Sequence, residues 1–483
     1  MGSFCPPGTL ERQTFGTQLA ARAMQSWQLS LNQAANCAKV YGYSAVPEAT
    51  NTLNLTAGGD SGLAFTTIPI GSEATRSGGS PPSNLPTVLY APVAIAALDF
   101  GFSINYRGSG YVTTPVKLTP LLLAKAVTQS YLQDLPDFFP DYGKTGPAWA
   151  QSNPLNISED PQFHTLNPAV PQDTTGPIAP LLTEDHSAAN QQVWQWIQAD
   201  STASGWLAGT KDTTDGNLAI DPDYQALKLG TPPALDSYPR AYSACLDLGK
   251  SSDTPPKEMT RCTLDLIPYA ENFDSAASAV LTANNPDESG PWNTTTTAPD
   301  GSLGWWQKAG VEALGQIFMW AASDTPDLAA YGLIPAELCD NSGGTCVGPS
   351  TASVTAAVGA ATADSSGLLH VDPAHPGTGG YPLTQIIYAA VATNQSAAAL
   401  SDYADLIAYA AGTGQTIGAA PGDLPPGYLP LPANLQAQAQ SVVTSDGDSF
   451  ASRWMIRYDG SGMRPRLGSE QTPPSSLSCS SVS

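Results

Sequence analysis

The chain has 483 residues, 41% of them hydrophobic, which is enough for two or three globular domains that each bury a substantial core. Its 42 acidic and 19 basic residues give a formal net charge of -23, and such a surface repels nucleic acid and anionic membranes. No apolar run approaches the roughly 18 residues of a membrane-spanning helix, so none is predicted. The abundance of Gly (44) and Pro (43) predicts many long surface loops on an ordered framework.

Six of the seven cysteines form pairs that flank a short element or loop, and none has the CxxC spacing typical of a metal site. The predicted disulfides are Cys5–Cys37 across the first helix, Cys245–Cys262 across a polar loop, and Cys339–Cys346 across a tight turn. Cys479 is left over in the tail. Three disulfides indicate an oxidising compartment, so we expect an exported protein, extracellular or at the cell surface. The first residues show no signal peptide and look like either a trimmed start or the start of a mature chain.

The first part of the chain predicts one helix followed by buried strands. Apolar residues recur at every fourth position from Leu19 to Leu31, which predicts a helix over residues 14–33. Residues 63–70 read as a short buried strand that Pro69 stops. The Val, Ala and Ile run over residues 85–104 favours strands over a long helix.

The middle of the chain predicts two capped helices and a poorly patterned region. A helix over residues 118–132 is expected to open with Thr119 as N-cap and Pro120 at the first position. A second helix is expected over residues 185–200. Residues 211–285 carry no clear periodicity, and residues 305–321 predict an apolar helix or a strand followed by a helix.

The last part predicts three helices and one strand. The helices cover residues 349–361 with Ser350 as cap, 401–412 with a stop at Gly412, and 433–443. The strand covers residues 382–392, which are rich in β-branched and aromatic residues. The alternation of helices with short apolar strands along the chain predicts the α/β class.

A set of short segments, in chain order, carries a resemblance to a known family. They are RQTFG at 12–16, YGYSAV at 41–46, AFTTIP at 64–69, LPTV at 85–88, TEDHSAAN at 183–190, AAYGL at 329–333, VGPSTASVTAA at 347–357, GYPLT at 380–384 and GYLPLP at 427–432. Together they resemble the phosphate-binding proteins of ABC phosphate transporters. The similarity is closer to actinobacterial extracellular proteins that carry such a module.

The resemblance implies a type-II periplasmic-binding-protein fold, with two lobes, a ligand cleft between them and hinge crossovers. It implies lobe 1 from residues 10–98 plus 355–445, and lobe 2 from residues 99–354 with a large insertion at about 208–300. Residues 446–483 would be a C-terminal tail. Closure of the lobes would trap a small anion or polar solute.

The resemblance also implies a candidate site for an oxyanion, held by hydroxyl groups and by backbone N–H groups at helix N-termini. The retained candidate ligand residues are Thr14 and Phe15 at the start of the first helix, Ser44 in the second turn, and Asp185 and Ser187 at the start of a later helix. Serine and aspartate at a helix start are also favoured N-caps, which leaves a purely structural role open for them.

Several family positions are altered in this chain. The family's proton-accepting aspartate falls on Ala64, its arginine on Thr183, its Gly-Thr pair on Ala188 and Ala189, and its Gly-Ser-Gly turn on residues 43–45. At about 2–4 kcal/mol for each charged contact, these losses predict a degenerate anion site with affinity lowered by several orders of magnitude. Arg76 and Arg107 are alternative sources of the missing positive charge.

Three classes of function remain open from the sequence. The first is solute binding, the second is a surface structural or adhesive module within a larger assembly, and the third is a hydrolase with an unrecognised site. We expect no enzyme and no cofactor, because the chain lacks a nucleophile elbow, a Walker loop and a dinucleotide fingerprint. An open cleft lined by Thr14, Ser44 and Ser187 would favour the first class. A cleft filled by Tyr43 or by the 208–300 insertion would favour the second.

Overall fold

The structure, a computed structural model, describes residues 5–34, 37–57, 61–72, 83–106, 110–172, 176–212, 218–290, 292–297 and 303–443. Its strands are β1 Leu10–Gly16, β2 Lys39–Ala45, β3 Leu63–Thr66, β4 Val88–Tyr106, β5 Lys117–Leu118, β6 Phe138–Phe139, β7 Lys144–Thr145, β8 Cys245–Lys250, β9 Glu258–Cys262, β10 Asn284–Asn285, β11 Trp292–Thr297, β12 Leu303–Trp306, β13 Gly310–Val311, β14 Gln316–Asp324, β15 Ile334–Pro335, β16 Glu337–Cys339, β17 Cys346–Val347, β18 Thr362–Ala363, β19 Leu369–His370 and β20 Thr384–Ala392. Its helices are α1 Ala21–Ala34, α2 Asn51–Ala57, α3 Pro120–Val127, α4 Pro161–Leu166, α5 Ala188–Ala199, α6 Ser201–Leu207, α7 Pro222–Ala226, α8 Thr263–Leu266, α9 Phe273–Leu281, α10 Thr325–Tyr331, α11 Thr351–Ala360, α12 Ala397–Ala410 and α13 Ala433–Val443.

The main sheet has the strand order β2-β1-β3-β20-β4-β14, and β15 also pairs with β4. Strands β2, β1 and β3 are parallel to one another, whereas β20 returns from the far end of the chain and runs antiparallel to both β3 and β4. Parallel neighbours need a crossover connection, and α1 and α2 supply the crossovers here. The predicted α/β class is confirmed.

Strand β4 is the longest strand and changes partners along its length. Its first part pairs with β20, and from Leu98 onward it pairs with β14. The register with β20 shifts where Tyr388 faces Pro92, and this irregularity accommodates a residue that has no N–H to donate to the ladder. The apolar run predicted as strands over residues 85–104 is therefore one continuous strand.

The helix predicted over residues 14–33 is wrong at its start, because residues up to Gly16 form β1. This strand pairs with β2 on one side and β3 on the other, so its backbone is satisfied by the sheet. At Gly16, where φ is +130°, an added Cβ would lie 2.0 Å from the carbonyl oxygen of Phe65. Only glycine permits this close approach of β1 to the end of β3.

The remainder of that predicted helix is confirmed as α1. The apolar residues that recur at every fourth position pack into the core, and Trp27 is fully buried with its indole N–H donated to the Gly414 carbonyl over 3.1 Å. The contact joins α1 to the segment after α12, so the N-terminal and C-terminal parts of the chain share one core.

Helix caps predicted from the sequence are present. The Thr119 hydroxyl accepts from Leu122 N at 3.2 Å at the start of α3, and Ser350 forms a capping box with Ser353 at the start of α11. The helix predicted over residues 185–200 begins later, at Ala188, with Ser187 as its N-cap. The helix α13 has the predicted bounds.

Two predictions for the middle of the chain are corrected. Residues 305–321 lie in strands β12, β13 and β14, because β14 pairs along β4 and is buried on both faces. The poorly patterned residues 211–285 contain the β8–β9 hairpin and helices α7, α8 and α9. Helix α9 packs its apolar face on β14, so this part of the insertion belongs to the core; the contacting residues are Ala276, Ala277, Val280, Ile317, Met319 and Ala321.

The three predicted disulfides are confirmed. Cys5–Cys37, Cys245–Cys262 and Cys339–Cys346 are bonded. Among the described helices, none has the length and apolar character that crossing a membrane requires. Cys479 and the predicted tail of residues 446–483 lie outside the described residues, as do Arg76 and Arg107.

Candidate functional site

The candidate site lies beyond the carboxyl ends of the parallel strands β1, β2 and β3, which is where open α/β sheets bind their ligands. Three short segments follow these strands: residues 16–18, residues 45–48 and Thr67. The N-terminus of α5 meets them, because Ala188 N is hydrogen-bonded to the side chain of Glu48. A helix N-terminus with free N–H groups is an inherent oxyanion site.

Glu48 occupies the place where these donors converge, and it is 2% exposed. Its Oε1 accepts from Thr67 N at 2.8 Å and from the Thr67 hydroxyl at 2.9 Å. Its Oε2 accepts from Ala188 N at 2.8 Å. We call the Thr67 N–H, the Thr67 hydroxyl and the Ala188 N–H together the anion pocket. Their three hydrogen bonds are all directed at one carboxylate that belongs to the chain itself.

The sequence reasoning missed Glu48, since nothing in its local sequence marks it as a ligand of this pocket. Its hydrogen-bond partners lie 19 and 140 residues away in the chain. Thr67 lies within residues 64–69, one of the segments that carry the resemblance. The Ala188 donor is a backbone N–H group, so it does not depend on the identity of the side chain.

The predicted ligand residues Thr14, Phe15 and Ser44 do not lie in the anion pocket. The Thr14 hydroxyl is buried and donates to the Gly42 carbonyl over 2.8 Å. Phe15 packs into an apolar cluster with Leu55 and Ala64. Ser44 pairs with Phe15 in the β1–β2 register and its side chain is exposed.

The predicted residues at the start of α5 flank the anion pocket. The Ser187 hydroxyl accepts from Asn190 N at 3.1 Å, so it caps the helix. The Asp185 carboxylate accepts a hydrogen bond from the Gln18 amide. Burial raises the pKa of Asp185, and the Gln18 hydrogen bond opposes that rise. Gln18 also accepts from Phe273 N at 2.9 Å, so one side chain joins the end of β1 to the starts of α5 and α9.

Tyr43 closes the same region from β2. Its hydroxyl donates to the Thr17 carbonyl at 2.5 Å and lies 3.2 Å from the Gly16 carbonyl. Burial raises the pKa of Tyr43, and the charges of Glu48 and Asp324 add to the rise. The Tyr43 ring packs edge-on against Phe65, with centroids 5.8 Å apart. Tyr43 is therefore a packed residue next to the pocket.

Further carboxylates give the region an acidic character. Arg22 on α1 donates to Asp327 at 2.6 Å and also pairs with Asp274. Asp324 caps α10 by accepting from Asp327 N at 2.8 Å, and burial together with the Asp327 charge raises its pKa.

In the described part of the chain, no three His, Cys, Asp or Glu side chains come together as a metal site. His370 pairs with Asp364 at 2.7 Å, and His375 pairs with Asp372 at 2.9 Å.

We expect Tyr43→Phe to lower the free energy of unfolding by only about 1 kcal/mol. The loss is small because the two carbonyls keep other donors: Gly16 accepts from Val46 N and Thr17 accepts from Ala20 N. Urea unfolding measures it, with Tyr409→Phe as the control, since Tyr409 donates one hydrogen bond to the Gly422 carbonyl. A loss above about 3 kcal/mol would mean that the Tyr43 hydroxyl holds the region closed.

No protein-family model and no curated protein sequence matches the chain. Solved structures do. A high-affinity periplasmic phosphate-binding protein (PfluDING) bound with phosphate matches at 12% identity and a TM-score of 0.45, over 90% of this chain and 94% of that one. A phosphate-binding protein from Stenotrophomonas maltophilia matches at 12% identity and a TM-score of 0.44, over 89% and 92%. An ABC-type phosphate transport receptor from Vibrio cholerae matches at 10% identity and a TM-score of 0.32, over 82% and 93%. These are similarities of backbone structure at very low sequence identity.

Proposed function

We propose that this protein is a non-catalytic module of the solute-binding-protein type whose anion pocket is filled by its own Glu48. In this proposal the chain does not capture free phosphate. It serves instead as a structural or interaction module on the outside of the cell, related in fold to phosphate-binding proteins. The observation that carries the proposal is the set of three hydrogen bonds from Thr67 and Ala188 to Glu48.

The energetics favour an occupied pocket over an open one. Moving Glu48 out would leave two buried backbone N–H groups and a hydroxyl unpaired until an anion replaced it, at about 1–3 kcal/mol for each group. The intramolecular carboxylate has no association entropy to overcome, so it competes well against millimolar phosphate.

The proposed division into lobes explains why these contacts matter. With lobe 1 as residues 10–98 plus 355–445 and lobe 2 as residues 99–354, three contacts cross the cleft: Glu48 with Ala188, Gln18 with Asp185, and Arg22 with Asp327. Strand β4 would be a hinge crossover, since it changes partner at Leu98. The contacts would hold the lobes closed without a ligand.

Export fits the same proposal. Three disulfides favour an oxidising compartment, and the net charge of -23 favours solubility over contact with nucleic acid or anionic membranes. We infer an extracellular or cell-surface location, as in the actinobacterial extracellular proteins that the sequence resembles. In its proposed structural role the chain would be part of a larger assembly. No cofactor enters the proposal.

A thermal-unfolding titration with phosphate, sulfate and methylphosphonate tests the proposal. We expect the melting temperature of the wild-type protein to match that in sodium chloride of equal ionic strength, because the pocket donors are already paired. A ligand at a hundred times its dissociation constant would add about 2.7 kcal/mol of stability, which such a titration detects readily. A saturable rise with phosphate would instead support solute binding in which Glu48 swings out.

A further inference from the structure

Arg261 on β9 is a buried cation held over an aromatic corner. It is 1% exposed, and its guanidinium carbon lies 4.8 Å from the ring centroid of Phe139 and 4.6 Å from that of Trp306. The two rings meet edge to face with centroids 5.1 Å apart. Aromatic rings do not replace the hydrogen bonds that a guanidinium makes in water, so its N–H groups still need acceptors.

The N–H groups of Arg261 make no hydrogen bond with the described residues, although Asp287 and Glu288 are close enough to act on its charge. All three nitrogens of Arg261 are buried and make no hydrogen bond there. The Trp292 indole N–H and the Thr263 hydroxyl are likewise buried without a partner. Trp292 packs against Trp306 at 5.4 Å, and Thr263 follows Arg261 by two residues, so these donors belong to one neighbourhood.

The electrostatics favour a ligand with a single negative charge. Burial lowers the pKa of Arg261 to about 10, while Glu288 and Asp287 oppose the fall. Burial also raises the pKa of Glu288 to about 7, and that residue makes no ion pair with Arg261 among the described contacts. A cation stacked on aromatic rings gains less than it loses by giving up its hydrogen bonds to water. A carboxylate would restore them through a bidentate pair and would bring the one negative charge that balances the guanidinium.

We propose that Arg261 binds the carboxylate of a monoanionic ligand whose flat or apolar body packs against Phe139 and Trp306. Trp292 and Thr263 donate to the same ligand. Tyr142 forms the outer wall, since it is 37% exposed, stacks on Phe139 at 5.0 Å and lies 5.8 Å from Trp306. Movement of the Tyr142 side chain opens the path from solvent. This site lies within the proposed lobe 2, where Arg261, Thr263 and Trp292 of the insertion meet Phe139, Tyr142 and Trp306, and it is separate from the anion pocket at Glu48.

Thermal unfolding and tryptophan fluorescence test the site with sodium benzoate and sodium acetate against sodium chloride at equal ionic strength. For the wild-type protein we expect a saturable fluorescence change and a rise of about 3 °C or more in benzoate, with a smaller rise in acetate. Arg261→Lys keeps the charge but loses the planar fork, so the benzoate dissociation constant should rise at least about tenfold. Arg12→Lys is the matched control, because Arg12 is also buried and is already paired with Asp402 at 2.7 Å; it should respond like the wild type.

Arg261→Met keeps the inference testable if the lysine variant folds poorly. It retains the apolar stem and removes an unpaired buried charge, so its melting temperature in chloride should equal or exceed that of the wild type. It should not respond to benzoate. An equal benzoate response in Arg261→Met and wild type would overturn the proposal. So would identical wild-type melting in benzoate, acetate and chloride, or a larger response to sulfate or phosphate than to benzoate.

Discussion

Glu48→Ala is expected to lower the free energy of unfolding by about 3–5 kcal/mol, and phosphate or sulfate should restore part of the loss. The substitution removes the acceptor of three buried hydrogen bonds and leaves the Thr67 and Ala188 donors unpaired. Those donors stay in place, because Thr67 follows β3 and Ala188 begins α5. A small oxyanion can then take the position of the lost carboxylate.

Urea unfolding with and without millimolar sulfate measures both effects. Glu271→Ala is the control, since Glu271 is an exposed residue just before α9 and should change stability by less than about 0.5 kcal/mol. The free energy of unfolding of Glu48→Gln should lie between those of Glu48→Ala and the wild type. The glutamine oxygen can still accept from Thr67, but its NH2 group would face the Ala188 N–H, which then has no acceptor. If Glu48→Ala were as stable as the wild type, or responded to sulfate no more than the wild type does, the three hydrogen bonds would not define an anion pocket.

Stability is expected to fall as the pH rises from 5 to 8, because several carboxyl groups are buried with raised pKa values. Burial raises the pKa of Asp221 to about 7 and that of Asp287 to about 8. A raised pKa means that the folded chain holds a proton that the unfolded chain releases near pH 4. The stabilisation is complete below that pH and is lost as the pH passes the folded value. Carboxyl groups with a lowered pKa, such as Asp402, change the free energy of unfolding only below about pH 4, so they do not affect its slope between pH 5 and pH 8.

Asp221→Asn should remove about 2–3 kcal/mol of the fall in stability between pH 5 and pH 8. Asp221 caps α7 by accepting from Asp223 N at 2.8 Å, and the asparagine oxygen can keep that bond. Its other oxygen is buried without a partner, so the neutral amide avoids burying a charge. Urea unfolding across this pH range measures the effect. Asp340→Asn, at an exposed carboxyl with a lowered pKa, is the control and should keep the wild-type slope. An unchanged slope in Asp221→Asn would mean that Asp221 is ionised throughout.

The elements that the sequence predicted well depend on local contacts. Thr119 and Ser350 cap α3 and α11 by accepting from backbone N–H groups only three residues ahead. Such caps can therefore be predicted from a short stretch of sequence. The apolar spacing that ends at Leu31 likewise predicted the buried face of α1. The start of that helix was wrong because residues 10–16 are satisfied by β2 and β3, and a local pattern does not show such distant partners.

The candidate site could be predicted only in part for the same reason. The family resemblance led to the start of α5, where Asp185 and Ser187 do flank the anion pocket. It did not lead to Glu48, whose role arises when residues 140 positions apart meet in the folded chain. The differences from the family at Ala64 and Thr183 predict a degenerate site, and this stays a prediction. The residue that fills the site was visible only in three dimensions.

A crystal structure of the wild-type protein grown in concentrated sodium phosphate would test the central claim most directly. We predict that Glu48 stays within hydrogen-bond distance of Thr67 and Ala188, with no phosphate bound between them. A phosphate ion on Ala188 N, with Glu48 turned away from the pocket, would contradict the claim and show that the chain is a solute-binding protein with a displaceable carboxylate.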